Sequence, residues 1–396
     1  MSDPQPPDPL GDAWKDVPLI REIQRVLLSS SGPVNWELAR QVAIAAAQTG
    51  TTGDDAVPGA DARGFEDAVR VAELHVAGFT TLDPPGDVAV VHGVRRAEWI
   101  ERSIDGLRDL IEPAAARIGE AVARAQGEVI PDLGPAEAAM PGLAQLMGQL
   151  SPLLVGAQVG TVLGTLATRA MGLYEIALPR PGGAHDLVFV MPNVAAFERD
   201  WSLDATEFRT WVATHEVAHR FAFSRPWLLP HARALFDDYL STLRFDVEAI
   251  RRRLETLDPS DPDGMREALG EGDGLFGTVI DDEQRLKLRR VQAFVGIVEG
   301  YADHVVHHLS RSLLPSADRI EEAMRRHRED ERVDPVLERL LGVEVERERF
   351  RQGEAFCDTV AELTDEGTLA RVWEGEGSLP SLPEIEEPRL WLARIV

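Results

Sequence analysis

The stretch Trp211-Val-Ala-Thr-His215-Glu216-Val-Ala-His219 carries two histidines four residues apart, with a glutamate directly after the first. On a helix, residues four apart stack on one face, so both imidazoles can reach a single ion. Glu216 falls off that line and would sit beside a water activated by the ion rather than on the ion itself. Zinc lowers the pKa of such a water toward about 7, and a carboxylate beside it can take the proton and pass it to a leaving amine. The spacing predicts a metal centre with His215 and His219 as ligands and Glu216 as general base. Chance can also set two histidines four apart, but here a helix-start signal and a strand pattern lie just upstream.

Such a centre needs a third protein ligand. The chain has one cysteine, Cys357, so a thiolate-rich site is excluded and the ligands must be histidines and carboxylates. Residues 221–230 contain no H-x-x-G-x-x-H continuation. The best candidate is Glu299, in Val298-Glu-Gly-Tyr-Ala-Asp303-His304. Gly300 beside it would let two helices come close. Asp303 shares the helix face of Glu299 and is expected to accept the outer N–H of a ligand histidine, fixing its tautomer. Three N/O ligands with an open position suit Zn2+.

Other polar groups are weighed against this centre. His304 and His308 are also four apart but point away from Glu299 on a helical wheel, so they read as structural or surface residues. His307, His231, Tyr239 and Tyr301 are candidates to stabilise an oxyanion opposite the metal. Tyr301 falls on the far side of its helix, which counts against it. Cys357 reads as a small core residue, and Trp211 and Trp227 as packing groups.

The elements that must position these residues can be outlined. Asp204 with Glu207 three residues on is a helix-start signal, and a helix is expected over 205–223 with Pro226 just past its end. A short strand is expected at 187–190, after a Pro/Gly-rich turn at 179–183. A second long helix, over 281–310, would carry Glu299. Further helical patterns lie at 34–48, 66–76, 96–127, 316–330, 344–364 and 390–396, with loops at 49–64, 81–88 and 258–277. Residues 138–168 carry no charge, and Gly156, Gly160 and Gly164 recur every fourth position. That spacing lets helices approach closely. The stretch reads as a buried core helix, with a membrane span as the alternative because its length would suffice.

Composition bounds the rest. The chain has 396 residues, 44% of them hydrophobic, and 67 acidic against 41 basic residues give a net charge of −26. Such a surface repels phosphate backbones and anionic lipid, so nucleic acid is excluded as a partner and a membrane is disfavoured. The N-terminus is rich in Pro and Asp with no apolar core, so no signal peptide is expected, and a lone cysteine fits a reducing compartment. The cytoplasm is the expected location. The organisation expected is a disordered tail at 1–12, a helical N-terminal region at 13–135 and a metallohydrolase domain at 136–396.

H-E-x-x-H with a downstream E-x-x-x-D resembles the gluzincin metallopeptidases, in which a glutamate on a later helix completes the zinc site. The wider text is similar to a bacterial zincin-like metallopeptidase family. The matching pieces are Met191-Pro192-Asn193, Trp211-Val212, Pro226-Trp227-Leu228, Glu299 through Asp303, and Leu379-Pro380. The resemblance, over about residues 15–396, implies a mainly α fold with a small β-sheet: a zincin-like core with an added helical N-terminal region. It implies a zinc-dependent hydrolase acting on a peptide or small amide substrate. A non-peptide metabolite amidase, a degenerate zincin acting as a zinc-stabilised binding module, and a membrane-anchored protease using 138–168 are the alternatives.

Overall fold

The computed structural model describes residues 32–48, 59–127, 140–174, 186–242, 244–245, 278–279, 281–330 and 347–395. The expected tail at 1–12, the turn at 179–183, the loop at 258–277 and the expected boundary between 135 and 136 lie outside these residues.

Four helices come first, α1 (Trp36–Gln48), α2 (Gly59–Thr80), α3 (Arg96–Gly127) and α4 (Met140–Ala167), with strand β1 (Val90–Val94) before α3. Strand β2 (Asp186–Val190) leads directly into α5 (Met191–Asp200). Then follow α6 (Ala205–Phe223), α7 (Leu228–Ser241), the long α8 (Asp282–Leu313), α9 (Ala317–Asp330) and α10 (Arg347–Leu363). The short helices α11 (Glu366–Ala370), α12 (Leu382–Glu386) and α13 (Pro388–Ile395) end the chain. The fold is mainly α with a small sheet.

β1 and β2 pair in parallel, from Val90 opposite Asp186 to Val94 opposite Val190. On the other edge of β2, Gly172 bridges Phe189 in antiparallel sense, and the Val190 N–H donates to the Met171 carbonyl at 2.9 Å. Leu187 to Val190 are fully buried, which explains their unbroken apolar run: a strand covered on both faces has no polar side to show. The two-residue strands β3 (Arg244–Phe245) and β4 (Thr278–Val279) make a separate antiparallel pair.

Within the uncharged stretch Met140–Ala167 is helical, and from Val155 to Ala167 it packs in the core. A side chain at Gly156, Gly160 or Gly164 of α4 would strike the backbone of Asn35, just before α1, or of Ala39 or Ala43 on it, within about 2.7 Å. Small residues every fourth position therefore let two helices meet backbone to backbone. No described helix is long and apolar enough to cross a membrane.

Two helices carry the candidate site. The Asp204 side chain accepts from the Thr206 and Glu207 N–H groups and starts α6 at the residue expected. At its other end Arg220, fully buried, donates to Glu73 of α2 and to the Asp87 carbonyl, both at 2.6 Å. Helix α8 starts with a capping box, Asp281 with Gln284. It is buried without a break from Val291 to Ala302, as a helix surrounded by others must be. Gly300 does allow a close crossing, but with α10 rather than α6: a Cβ there would lie 2.6 Å from Gly353 Cα and 2.3 Å from the Glu354 nitrogen. One residue earlier Glu299 faces α6, about 100° round the helix.

Several described elements escaped the periodicity. Helix α7 lies where Pro226 suggested only a helix end, and α5, α11, α12, β1, β3 and β4 were not anticipated at all. Helix α2 begins at Gly59, inside the loop expected at 49–64.

Replacing Gly300 with alanine should lower the unfolding free energy by about 1–3 kcal/mol, because the added methyl must push two packed backbones apart. Urea denaturation checks this; a change below about 0.5 kcal/mol, the size of an ordinary surface substitution, would show that the crossing is not tight.

Candidate metal centre

Helix α6 presents His215 and His219 on one face, ring centroids 4.7 Å apart, and α8 presents Glu299 to both. Glu299 Oε2 lies 3.5 Å from His219 Nε2 and 4.0 Å from His215 Nε2. One ligand atom from each of the three residues falls within 4.8 Å of the others.

The donor set fits a metal. His215 Nε2, His219 Nε2 and Glu299 Oε1 are buried atoms with no hydrogen-bond partner. Leaving such atoms unpaired costs about 1–3 kcal/mol each, so the arrangement calls for something between them. Ligands held at about 2.0–2.2 Å from a tetrahedral ion stand roughly 3.4 Å apart, close to the spacings found here. His215 carries the electrostatic signature as well. Burial works against a charged ring, yet the carboxylates of Glu216, Asp303 and Glu299 outweigh it and hold its pKa above the usual histidine value. Three carboxylates around one ring make the local field negative, which favours a bound cation.

Asp303 comes to the His215 ring at an unexpected place. Its Oδ1 is 3.9 Å from Nε2, the nitrogen that also faces Glu299, whereas fixing the tautomer from outside would need it at Nδ1. Nδ1 lies instead 3.9 Å from Glu216 Oε1.

Glu216 is fully buried, and its Oε2 accepts from the N–H groups of Leu173 at 2.9 Å and Tyr174 at 3.3 Å. This cradle follows α4. A Cβ at its Gly172 would stand 2.2 Å from the Glu216 carboxylate and would push that side chain out of this position. The buried Trp99 of α3 donates its indole N–H to the Gly172 carbonyl at 2.9 Å, and the Tyr174 ring stacks on His219 at 5.2 Å. Below it, Asn193 donates to the Ala167 and Ala170 carbonyls and accepts from Arg96. Sequence reasoning missed residues 172–174 and Trp99. The signal available was a lone glycine and tyrosine directly after the uncharged helix, with no side-chain chemistry in the contact to Glu216.

The other candidates lie elsewhere. His307 pairs with Glu321 on α9 at 3.4 Å, and His231 with Glu376 at 3.1 Å. Tyr301 is packed edge-on against Trp373, 5.0 Å between centroids, and burial raises its pKa well above the usual tyrosine value. Tyr239 is buried, and its pKa too is raised by burial. Cys357 is buried, with a thiol pushed up first by burial. Trp211 packs over His215, and the Trp227 indole donates to the Trp373 carbonyl at 3.1 Å. His308 is half-exposed, while His304 is fully buried between Asp358 and Glu366.

Residues 34–392 match the zincin-like metallopeptidase family, and the chain belongs to it. That membership implies a metal ion, usually zinc, and hydrolytic chemistry. A protein from Chloroflexus aurantiacus, whose crystal structure is described as that of a candidate hydrolase with a novel fold, superposes with a TM-score of 0.65 at 25% identity. The match covers 91% of this chain and 98% of that one. No curated protein matches the sequence.

His304 makes a pH prediction for the metal-stripped protein. Burial alone would lower its pKa, but hydrogen bonds to Asp358 and then Glu366 outweigh that and raise it to about 9. A folded pKa above the unfolded value of about 6.5 stabilises the fold fully below 6.5 and loses that contribution as pH climbs through 9. The urea midpoint should fall between pH 6.5 and 9 in the parent and fall less in His304→Gln, where this contribution is absent. Equal slopes would refute the assignment.

Proposed function

We propose that the protein is a zinc-dependent metallopeptidase, with His215, His219 and Glu299 as the metal ligands and Glu216 as general base. The observation that carries this reading is the convergence of two unpartnered Nε2 atoms and one buried carboxylate on a gap of ionic size. Zinc, when bound, would polarise the scissile carbonyl and make water acidic enough to lose a proton near neutral pH.

The remaining work falls to the protein. Two backbone N–H groups hold Glu216 by Oε2, leaving Oε1 as the oxygen that can accept a proton and return it to the leaving nitrogen. Tyr174, stacked on His219, and Trp211, over His215, close off both rings and keep their orientation. Asp303 adds negative charge on the Nε2 side of His215, where it favours a bound cation. A structural zinc site has no use for a buried carboxylate held this way, which weighs against a zinc-stabilised binding module. A peptide as substrate rests on the family; a small amide is the other outcome of a substrate screen.

The purified protein should contain zinc and cleave members of a peptide library. Glu216→Gln should keep the zinc and lose activity by roughly 10²–10⁴-fold, the usual contribution of a proton-transfer group. His219→Ala should lose the zinc of this centre. Turnover surviving in Glu216→Gln would overturn the assigned base. Activity on small amides with none on peptides would replace the metallopeptidase with a metabolite amidase.

A further inference from the structure

We propose that His304, His308 and Asp358 form a second cation site, suited to one divalent transition-metal ion such as zinc. Each of the three can place a ligand atom within 4.8 Å of the other two. His304 and His308 are four apart on α8, with ring centroids 4.5 Å from one another. The Phe79 ring of α2 lies 5.6 Å from each and packs against both. Asp358 reaches across from α10, its Oδ1 2.6 Å from His304 Nδ1 and 3.9 Å from His308 Nδ1.

Glu366, in the first turn of α11, meets the other nitrogen of His304 at 3.2 Å. A carboxylate behind an imidazole is the arrangement that fixes a metal-ligating histidine: it holds the hydrogen on Nε2 and turns the Nδ1 lone pair toward the ion. His304 is fully buried, whereas His308 is 43% exposed and opens the cluster to solvent, from which an ion would enter. His308 Nδ1 also lies 3.0 Å from the carbonyl oxygen of His304.

The source of positive charge separates this cluster from an ordinary ion-pair network. Among the described residues, Asp358 and Glu366 meet no arginine or lysine; their ion-pair partners are histidines alone. Imidazoles can exchange a proton for a metal, and a guanidinium cannot. Metal binding at His304 Nδ1 would release any proton held there to solvent and donate the nitrogen's lone pair to the ion. The ion would then tie α8 to α10 and to the start of α11. The site faces away from Glu299 and depends on no part of the catalytic reading.

Metal-stripped protein titrated with zinc chloride at neutral pH, in a buffer holding free zinc at micromolar levels, tests this by zinc per chain. The parent should take up two ions, and His308→Ala and His219→Ala one each. His308 is half-exposed, so its alanine variant should fold, and circular dichroism checks that it does. Zinc should raise the melting temperature of His219→Ala but not of the His219→Ala, His308→Ala double variant. Zinc content unchanged by His308→Ala, or uptake lost by it only at millimolar zinc, overturns the inference. Zinc uptake abolished by His308→Ala but untouched by His219→Ala would uphold it and overturn the catalytic centre instead.

Discussion

The structure turns on a buried cluster of polar atoms between two helices that lack partners. Two imidazole nitrogens and one carboxylate oxygen are buried together without hydrogen-bond partners. Proteins rarely leave such groups unpaired, because each costs as much as a lost hydrogen bond and the buried charge costs more. The fold accepts that cost by packing α6 against α8, which keeps the three side chains buried together. Buried Arg220 anchors one helix to α2, and glycines 296, 300 and 353 lock the other against α10. Rigid crossings of this kind hold ligands at a spacing that suits an ion better than it suits each other.

The same logic reaches the segment 171–174. Glu216 is held by main-chain donors rather than by a side chain, so its orientation is inherited from the backbone path after α4. That path is fixed by the edge contact to β2 and by Trp99 from the N-terminal helices. The sheet is small, yet it sets the register between β2, the cradle and α6. The N-terminal helices share one continuous core with the rest, and Trp99 gives them a direct part in the candidate site.

Much of this was legible in the sequence. The span of α6 followed from Asp204 and the periodicity, and His215, His219 and Glu299 come together as their spacing and helix faces suggested. What could not be read was contact made by backbone. No side-chain pattern marks Leu173 and Tyr174 as donors to Glu216, and Gly172 is explained only once the carboxylate beside it is seen. Gly300 was legible as a close approach but not as one to α10, since a glycine does not name its partner. Asp303 was placed near a ligand histidine by face alone, and which ring and nitrogen it meets depends on packing and a ring rotation that spacing does not determine. Helix α7 was hidden by its prolines: Pro230 occupies its first turn, where a missing N–H costs nothing.

The most direct test is anomalous diffraction at the zinc edge from crystals of zinc-loaded protein. The account predicts a peak bonded to His215 Nε2, His219 Nε2 and a Glu299 oxygen, at about 2.0–2.2 Å from each. Zinc-replete crystals with no anomalous density between α6 and α8, or with Glu299 turned out of reach of both rings, would contradict it.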